Sequence, residues 1–197
     1  MALHTGRLLL TPKDLKAVPP REPLRAALTQ AGLLGARLTA APGAGASESD
    51  ASRFAPGERF FDYVGFTGCA VKLDGLPGTA GPAGCHLRLD PPSTEPRFWR
   101  GRNTRPPRCP ACGKTVSDWR PAMEDWSWPE RTELACPACG TRSLAWQWDW
   151  RGHAGFGRLT LTIEEVFPGE AAVLPALPRL LERFSDGLPW HWFALQD

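Results

Sequence analysis

Apolar positions change their spacing from one stretch of the chain to the next. Leu8, Leu9 and Leu10 make a short apolar strand. Pro23 then opens a helix in which Leu24, Leu28 and Ala31 recur at helical spacing, with Gly35 as its stop. Residues 60–66 are aromatic and β-branched enough for a buried strand. Residues 69–74 (CAVKLD) and 85–90 (CHLRLD) repeat one period-two pattern, with the cysteine and two apolar residues on one face. They are predicted to be half-buried strands paired as an antiparallel hairpin across the Gly/Pro loop 75–84, which puts Cys69 and Cys85 at opposite ends. Farther on, Leu159, Leu161 and Ile163 alternate with Arg158, Thr160 and Thr162, the clearest half-buried strand in the protein. Pro168-Gly169 ends it. A helix carrying Leu174, Leu177, Leu181 and Phe184 follows, with Pro175 and Pro178 in its first turn and Gly187 as its stop. Trp190 to Leu195 is apolar on both faces and reads as a final buried strand.

This order of elements predicts an α+β fold: a mainly antiparallel sheet with two helices on one face, of ferredoxin-like flavour. Residues 97–150 have a different texture and are expected to be an inserted domain, with residues 1–96 and 151–197 forming the scaffold. The small, polar run 39–53 has nothing to bury, so residues 39–57 are expected to be a mobile loop without a function of its own.

The length of 197 residues is ample for a core, and 42% hydrophobic with 22% charged residues is a globular composition. A formal net charge of +2 lacks the basic excess of a dedicated polyanion binder. The first ten residues hold only three consecutive leucines, too short an apolar run for an export signal, and no stretch approaches the ~20 apolar residues of a membrane span. A cytoplasmic protein with no membrane partner is the expectation. There cysteines stay reduced, so closely spaced ones read as metal ligands before disulfides.

Two copies of one unit, Cys-Pro-Ala-Cys-Gly, stand at residues 109–113 and 136–140, and a tryptophan follows each copy at the same distance, Trp119 and Trp146. In each, proline presets one turn dihedral and the glycine can take the positive φ that lets backbone N–H groups face the sulfurs. Two such turns meeting head to head bring four thiolates, Cys109, Cys112, Cys136 and Cys139, into a tetrahedron suited to zinc. The pair resembles the knuckles of the zinc-ribbon superfamily over about residues 105–150. That resemblance implies two knuckled hairpins closing over one structural zinc. The spacer of 23 residues, 113–135, is longer than the ~15–20 of the compact form. A rubredoxin-like iron centre uses the same paired knuckles and is the alternative. A thioredoxin-like redox pair fits less well, because both copies are closed by glycine. With few aliphatics, the segment is expected to unfold without metal while the rest of the chain survives.

Ahead of the first knuckle, Arg97, Arg100, Arg102, Arg105 and Arg108 occur with Phe98 and Trp99 and no acidic residue among them. Arginine beside exposed aromatics suits phosphate contact and base stacking, which makes RNA or single-stranded DNA one possible partner. The blander reading has Glu124, Asp125, Glu130 and Glu133 neutralise this run. Trp126 and Trp128, then Trp146, Trp148 and Trp150, occupy alternate positions and on strands would each share a face, either to cover the zinc or to dock a partner. Packing is favoured, with at least one indole left for a partner. No catalytic motif stands out: Cys85 and His86 are adjacent on a strand and point apart, Glu164 and Glu165 likewise, and His153 and His191 have no ligand-spaced companions. Both Cys69 and Cys85 read as buried apolar residues. The sum is a non-catalytic zinc-ribbon adaptor, with a protein partner preferred.

Overall fold

The computed structural model describes residues 6–38, 52–68, 71–73, 84–124, 126–129 and 132–196. In chain order the elements are β1 Gly6–Pro12, α1 Arg21–Gln30, β2 Leu34–Arg37, β3 Arg53–Pro56, β4 Val64–Phe66, β5 His86–Leu89 and β6 Arg97–Arg100. Then come α2 Trp119–Glu124, β7 Glu133–Ala135, β8 Arg142–Leu144, β9 Ala154–Gly157, β10 Leu161–Glu164, β11 Ala171–Val173, α3 Ala176–Arg183 and β12 Trp190–Gln196. The protein is mainly antiparallel β with few helices.

Six strands form the main sheet in the order β12-β1-β10-β5-β3-β2, every neighbouring pair antiparallel. Rows of apolar side chains cross it in register: Leu8 opposite Ile163, Ile163 opposite Leu87, and Leu87 opposite Phe54. Leu10, Leu161 and Leu89 form the next row. On this face α1 sets Leu24 and Leu28, and α3 sets Leu177 and Leu181, into one continuous buried cluster. Each helix thus turns its i, i+4 stripe onto the sheet.

Several expectations are corrected here. α1 ends at Gln30, a turn before Gly35, because Gly32 takes a φ of +74° and the Leu33 N–H reaches back to the Leu28 carbonyl. Gly35 instead lies within β2. Of the expected loop, residues 39–51 lie outside the described residues, while Arg53–Pro56 are strand because Phe54 has a place in the core. Residues 60–66 are not one strand: Phe60–Asp62 make a single 3₁₀ turn that drives Phe60 into the core, and β4 then pairs with β11 in a sheet of its own. Among the described residues, 71–73 do not pair with 85–90 as an antiparallel hairpin. Leu73 meets Cys85 in a parallel bridge, with the Cys85 N–H donating to the Lys72 carbonyl, and both edges of β5 are taken by β10 and β3. Cys69 itself lies outside the described residues; Cys85 is fully buried.

β10 is buried on both faces rather than half-buried, since Thr160 and Thr162 are as hidden as Leu161 and Ile163. A second layer lies on the other face of the sheet. There β6 and β9 pair, Arg97 opposite Gly157 and Arg100 opposite Ala154, and lie across β1 and β12. Close approach requires glycine: a Cβ on Gly155 would collide with the Phe193 ring, and one on Gly157 with the Thr11 side chain. Trp99 packs there against Leu9, Phe193 and Leu195. Among the described residues no helix is long and apolar enough to cross a membrane.

Candidate metal centre

The two knuckles are built alike. In the first, the Cys109 N–H donates to the Lys114 carbonyl and the Gly113 N–H to the Cys109 carbonyl; in the second, Cys136 bonds Thr141 and Gly140 bonds Cys136 in the same way, all at 2.9 Å. Gly113 and Gly140 take φ of +70° and +73°, the left-handed conformation the turn requires. The Ala111 N–H points at Cys109 Sγ from 3.4 Å. β7 and β8 form the arms of the second knuckle, and a bridge between Arg108 and Thr115 ties those of the first.

Head to head, the turns place all four ligand atoms of Cys109, Cys112, Cys136 and Cys139 within 4.8 Å of one another. Across the knuckles, Cys109 Sγ to Cys139 Sγ and Cys112 Sγ to Cys136 Sγ are each 3.8 Å. A tetrahedron with metal–sulfur bonds of ~2.3 Å has edges of ~3.8 Å, so the donor set fits one ion. The first cysteine of each knuckle is buried and the second exposed, so the site sits at the surface with its inner half in the core.

The sulfurs are tuned by their neighbours. The Thr141 hydroxyl oxygen, 3.3 Å from Cys139 Sγ, accepts from it, and this contact together with the Thr141 N–H holds that thiol down to about 6. At Cys112 the Lys114 N–H also favours the thiolate. Desolvation and the neighbouring sulfurs of Cys139, Cys136 and Cys109 outweigh it and push the thiol up to about 11. Four thiolates this close repel one another, and a divalent cation at their centre is what lets all four ionise together. Among the described residues no other group of three or more His, Cys, Asp or Glu side chains could hold an ion.

Behind the sulfurs lies a second buried cluster that runs from Cys109 and Cys136 through Val116, Trp119, Leu134, Trp148 and Trp150 to Phe156 of β9. Phe98 stacks on Phe156 at 4.7 Å, and Trp150 stands edge-on to Trp119 at 5.2 Å. The long spacer has a use that sequence reasoning missed: it carries α2, whose Trp119 and Met123 both enter this cluster. Their i, i+4 spacing was the available signal. The tryptophans do not form strand stripes. Residues 145–147 are a 3₁₀ turn, so Trp148 and Trp150 go inward while Trp146 leaves the row and packs on Trp128 at 5.5 Å. Trp150 Nε1 donates to the Ala145 carbonyl at 2.8 Å.

The arginine run is strung out rather than gathered. Arg97 and Trp99 share one face of β6 and one cleft, and period two puts Arg100 on the other face. Arg102 hydrogen-bonds the end of β12 through its N–H, Arg105 lies close enough to His153 to oppose its protonation, and Arg108 bridges Thr115 and Asp149 through its backbone. Cys85, in the core, is pushed up to about 12 by burial.

Where the aromatic cluster meets the sheet edge there is a cleft of about 320 Å³, lined by Lys13, Trp148, Trp150, Arg151, His191 and Trp192 among others. β12 is an edge strand, and most of its outer edge is capped. The Ala194 N–H donates to Gly152, the Gln196 N–H to Asn103 Oδ1, and the Ala194 and Gln196 carbonyls accept from Asn103 Nδ2 and the Arg102 N–H. By the ladder's alternation Trp192 presents its N–H and C=O on the same edge, without such a cap among the described residues. Its indole is 41% exposed. Comparison of the chain with protein-family models, with curated proteins and with solved structures finds no match.

Proposed function

We propose that the protein is a non-catalytic zinc-ribbon adaptor. The ion at Cys109, Cys112, Cys136 and Cys139 is zinc, its role is structural, and the partner is a protein segment that adds along the β12 edge at Trp192. The observation that carries this reading is the complete sulfur tetrahedron, with every edge made by cysteine and no position left for a reacting water or substrate. Zinc accepts that geometry without electronic preference, whereas the iron alternative would turn the same four ligands into an electron carrier. The partner surface rests on the open edge at Trp192 beside an indole-lined cleft, which suits an extended peptide that pairs its backbone there and buries one apolar side chain. Lys13 and Arg151, against the one carboxylate of Asp149 at the cleft, favour an acidic residue in that peptide.

The finer fold reading supports a scaffold role. β1 and β5 run in one direction with β10 between them, and β10 and β12 in the other with β1 between them, each pair enclosing a helix in the chain order. We read these as a pair of split β-α-β units in a ferredoxin-like arrangement, with β3 and β2 added at one edge and residues 97–150 as an insertion.

RNA or single-stranded DNA is the second reading, favoured by Arg97 and Trp99 side by side in one cleft. The test begins with elemental analysis of protein purified without added ions. One zinc per chain in a colourless protein is expected, and stoichiometric iron overturns the assignment. Retention of one defined protein partner by wild type and its loss in Trp192→Ala supports the adaptor. Co-purifying nucleic acid released by salt, with no protein partner, favours the second reading.

A further inference from the structure

A second cleft, of about 220 Å³, lies between the sheet and the β6–β9 pair, walled by Arg88, Asp90, Arg97, Trp99, Arg158 and Thr160. Its hydrogen bonding is lopsided. Asp90 gives both carboxylate oxygens to Arg88 Nη2, at 2.9 and 2.7 Å, and Glu164 accepts from Arg88 Nη1 at 3.3 Å. Arg88 is thereby neutralised and the acidic groups at the cleft are used up. Arg158 donates through Nε alone, to the Ser93 carbonyl at 2.9 Å, which leaves both its Nη groups without an acceptor among the described residues. The guanidinium of Arg97, exposed on β6, has no ion pair or hydrogen bond to a described residue. Trp99 Nε1 is buried without a partner, and so is Arg88 Nε. Thr160, only 4% exposed, lines the same cleft with a hydroxyl that makes no hydrogen bond among the described residues.

Donors therefore converge where acceptors have run out. Buried donors left unmade are costly, and a native fold that brings two of them, Trp99 Nε1 and Arg88 Nε, to the walls of a cleft that also holds two unpaired guanidinium forks is arranged for an acceptor from outside. We propose that this cleft is a phosphate-binding site, in which Arg97 and Arg158 grip the anion and Thr160 and Trp99 supply further donors. A planar carboxylate fills one arginine fork. Two forks, one on β6 and one on the link from β9 into β10, with a hydroxyl and an indole lining the same cleft, suit the several oxygens of a tetrahedral group. The volume leaves room for the first atoms of an ester beyond the phosphate itself. Arg97 belongs to β6, and Arg158 and Thr160 to the link from β9 into β10, so a bound phosphate ties the β6–β9 pair to the sheet beneath it. No residue of this cleft belongs to the knuckles or to the Trp192 edge, so the site stands or falls independently of the adaptor reading.

The test is titration of the metal-loaded 197-residue chain with inorganic phosphate, at constant ionic strength set with chloride, read as thermal stability. A saturable rise in Tm is expected for wild type. Arg97→Ala, an exposed residue with no partner to lose, and Arg158→Lys, which keeps the charge and loses the fork, should each weaken apparent affinity at least tenfold at unchanged far-UV circular dichroism and metal content. A ten-residue oligothymidylate then separates the sources. Binding that phosphate competes away and Arg97→Ala weakens identifies a nucleic-acid backbone, whereas phosphate binding without oligonucleotide binding identifies a free phosphate ester. A response to phosphate no larger than to chloride, or one that survives both substitutions together, overturns the site.

Discussion

The Phe193 ring lies so close over Gly155 that no side chain fits between them, which makes this contact the joint between the β6–β9 pair and the main sheet. Gly155 also pairs with Trp99 in the β6–β9 ladder, so the strand cannot simply slide away. Gly155→Val should destabilise the protein by about 1–3 kcal/mol, the usual cost of overpacking. Urea denaturation checks it, and an unchanged midpoint would show that β9 does not bear on the sheet.

Removal of the metal should loosen the aromatic cluster before the sheet. Cys109 and Cys136 are part of that cluster, whereas Leu89 and Leu161 belong to the other. Chelation, or Cys112→Ser at an exposed ligand, is expected to red-shift tryptophan emission and to raise amide exchange across residues 109–150. Protection at β1, β5 and β10 should persist. Simultaneous loss of both would mean that the two clusters unfold as one.

Two tryptophans near the same cleft should behave oppositely. Trp150 is 5% exposed and touches Phe98, Trp119 and Phe156, so Trp150→Ala should cost about 3–5 kcal/mol. Trp192, 41% exposed, should change stability by no more than about 0.5 kcal/mol when replaced by alanine. Equilibrium unfolding of both variants decides it, and a large loss at Trp192 would give that residue a structural role in place of the docking one.

Burial, reinforced by Lys13, holds the His191 imidazole down to about 4. The unfolded chain binds a proton near the ordinary histidine value of ~6.5, while the folded chain does not until far lower pH. Between those values the unfolded state carries more protons, so stability falls as pH falls, by about 2 kcal/mol at pH 5. His191→Gln should remove that portion of the slope. An identical pH profile in wild type and variant would show that His191 does not titrate in this way.

Cys85 should be chemically silent in the folded protein. Its thiol is wholly buried and pushed up to about 12, which leaves almost no thiolate at pH 8. Peptide mapping after iodoacetamide treatment should find it unmodified until denaturant is added.

Turn chemistry was legible in advance. The paired Cys-Pro-Ala-Cys-Gly units named all four sulfurs that meet, together with the positive φ of Gly113 and Gly140, because a knuckle is specified by residues within six positions of one another. Strands with clear alternation, such as residues 159–163, and the i, i+4 stripe of α3 were equally plain. Helix ends were less so: Gly32 and Gly35 look alike in sequence, and the one that stops α1 is chosen by the chain returning at Arg59, whose N–H donates to the Gly32 carbonyl.

What the sequence by itself determined is therefore the local part: the sulfur ligands, the helices over Leu24–Leu28 and Leu177–Leu181, and the apolar faces awaiting burial. The tertiary structure alone decided which faces met. It set β5 between β10 and β3, left the segment its pattern repeats to meet Cys85 through a parallel bridge at Leu73, and laid the β6–β9 pair across β1 and β12 on the second face. It also divided the arginine run, so that Arg97 joined Arg158, sixty-one positions away in sequence, in one cleft. Period and turn residues are read from neighbours a few positions apart. Pairing and coverage depend on contacts across the whole chain, where many partners fit one apolar face and only close packing selects among them.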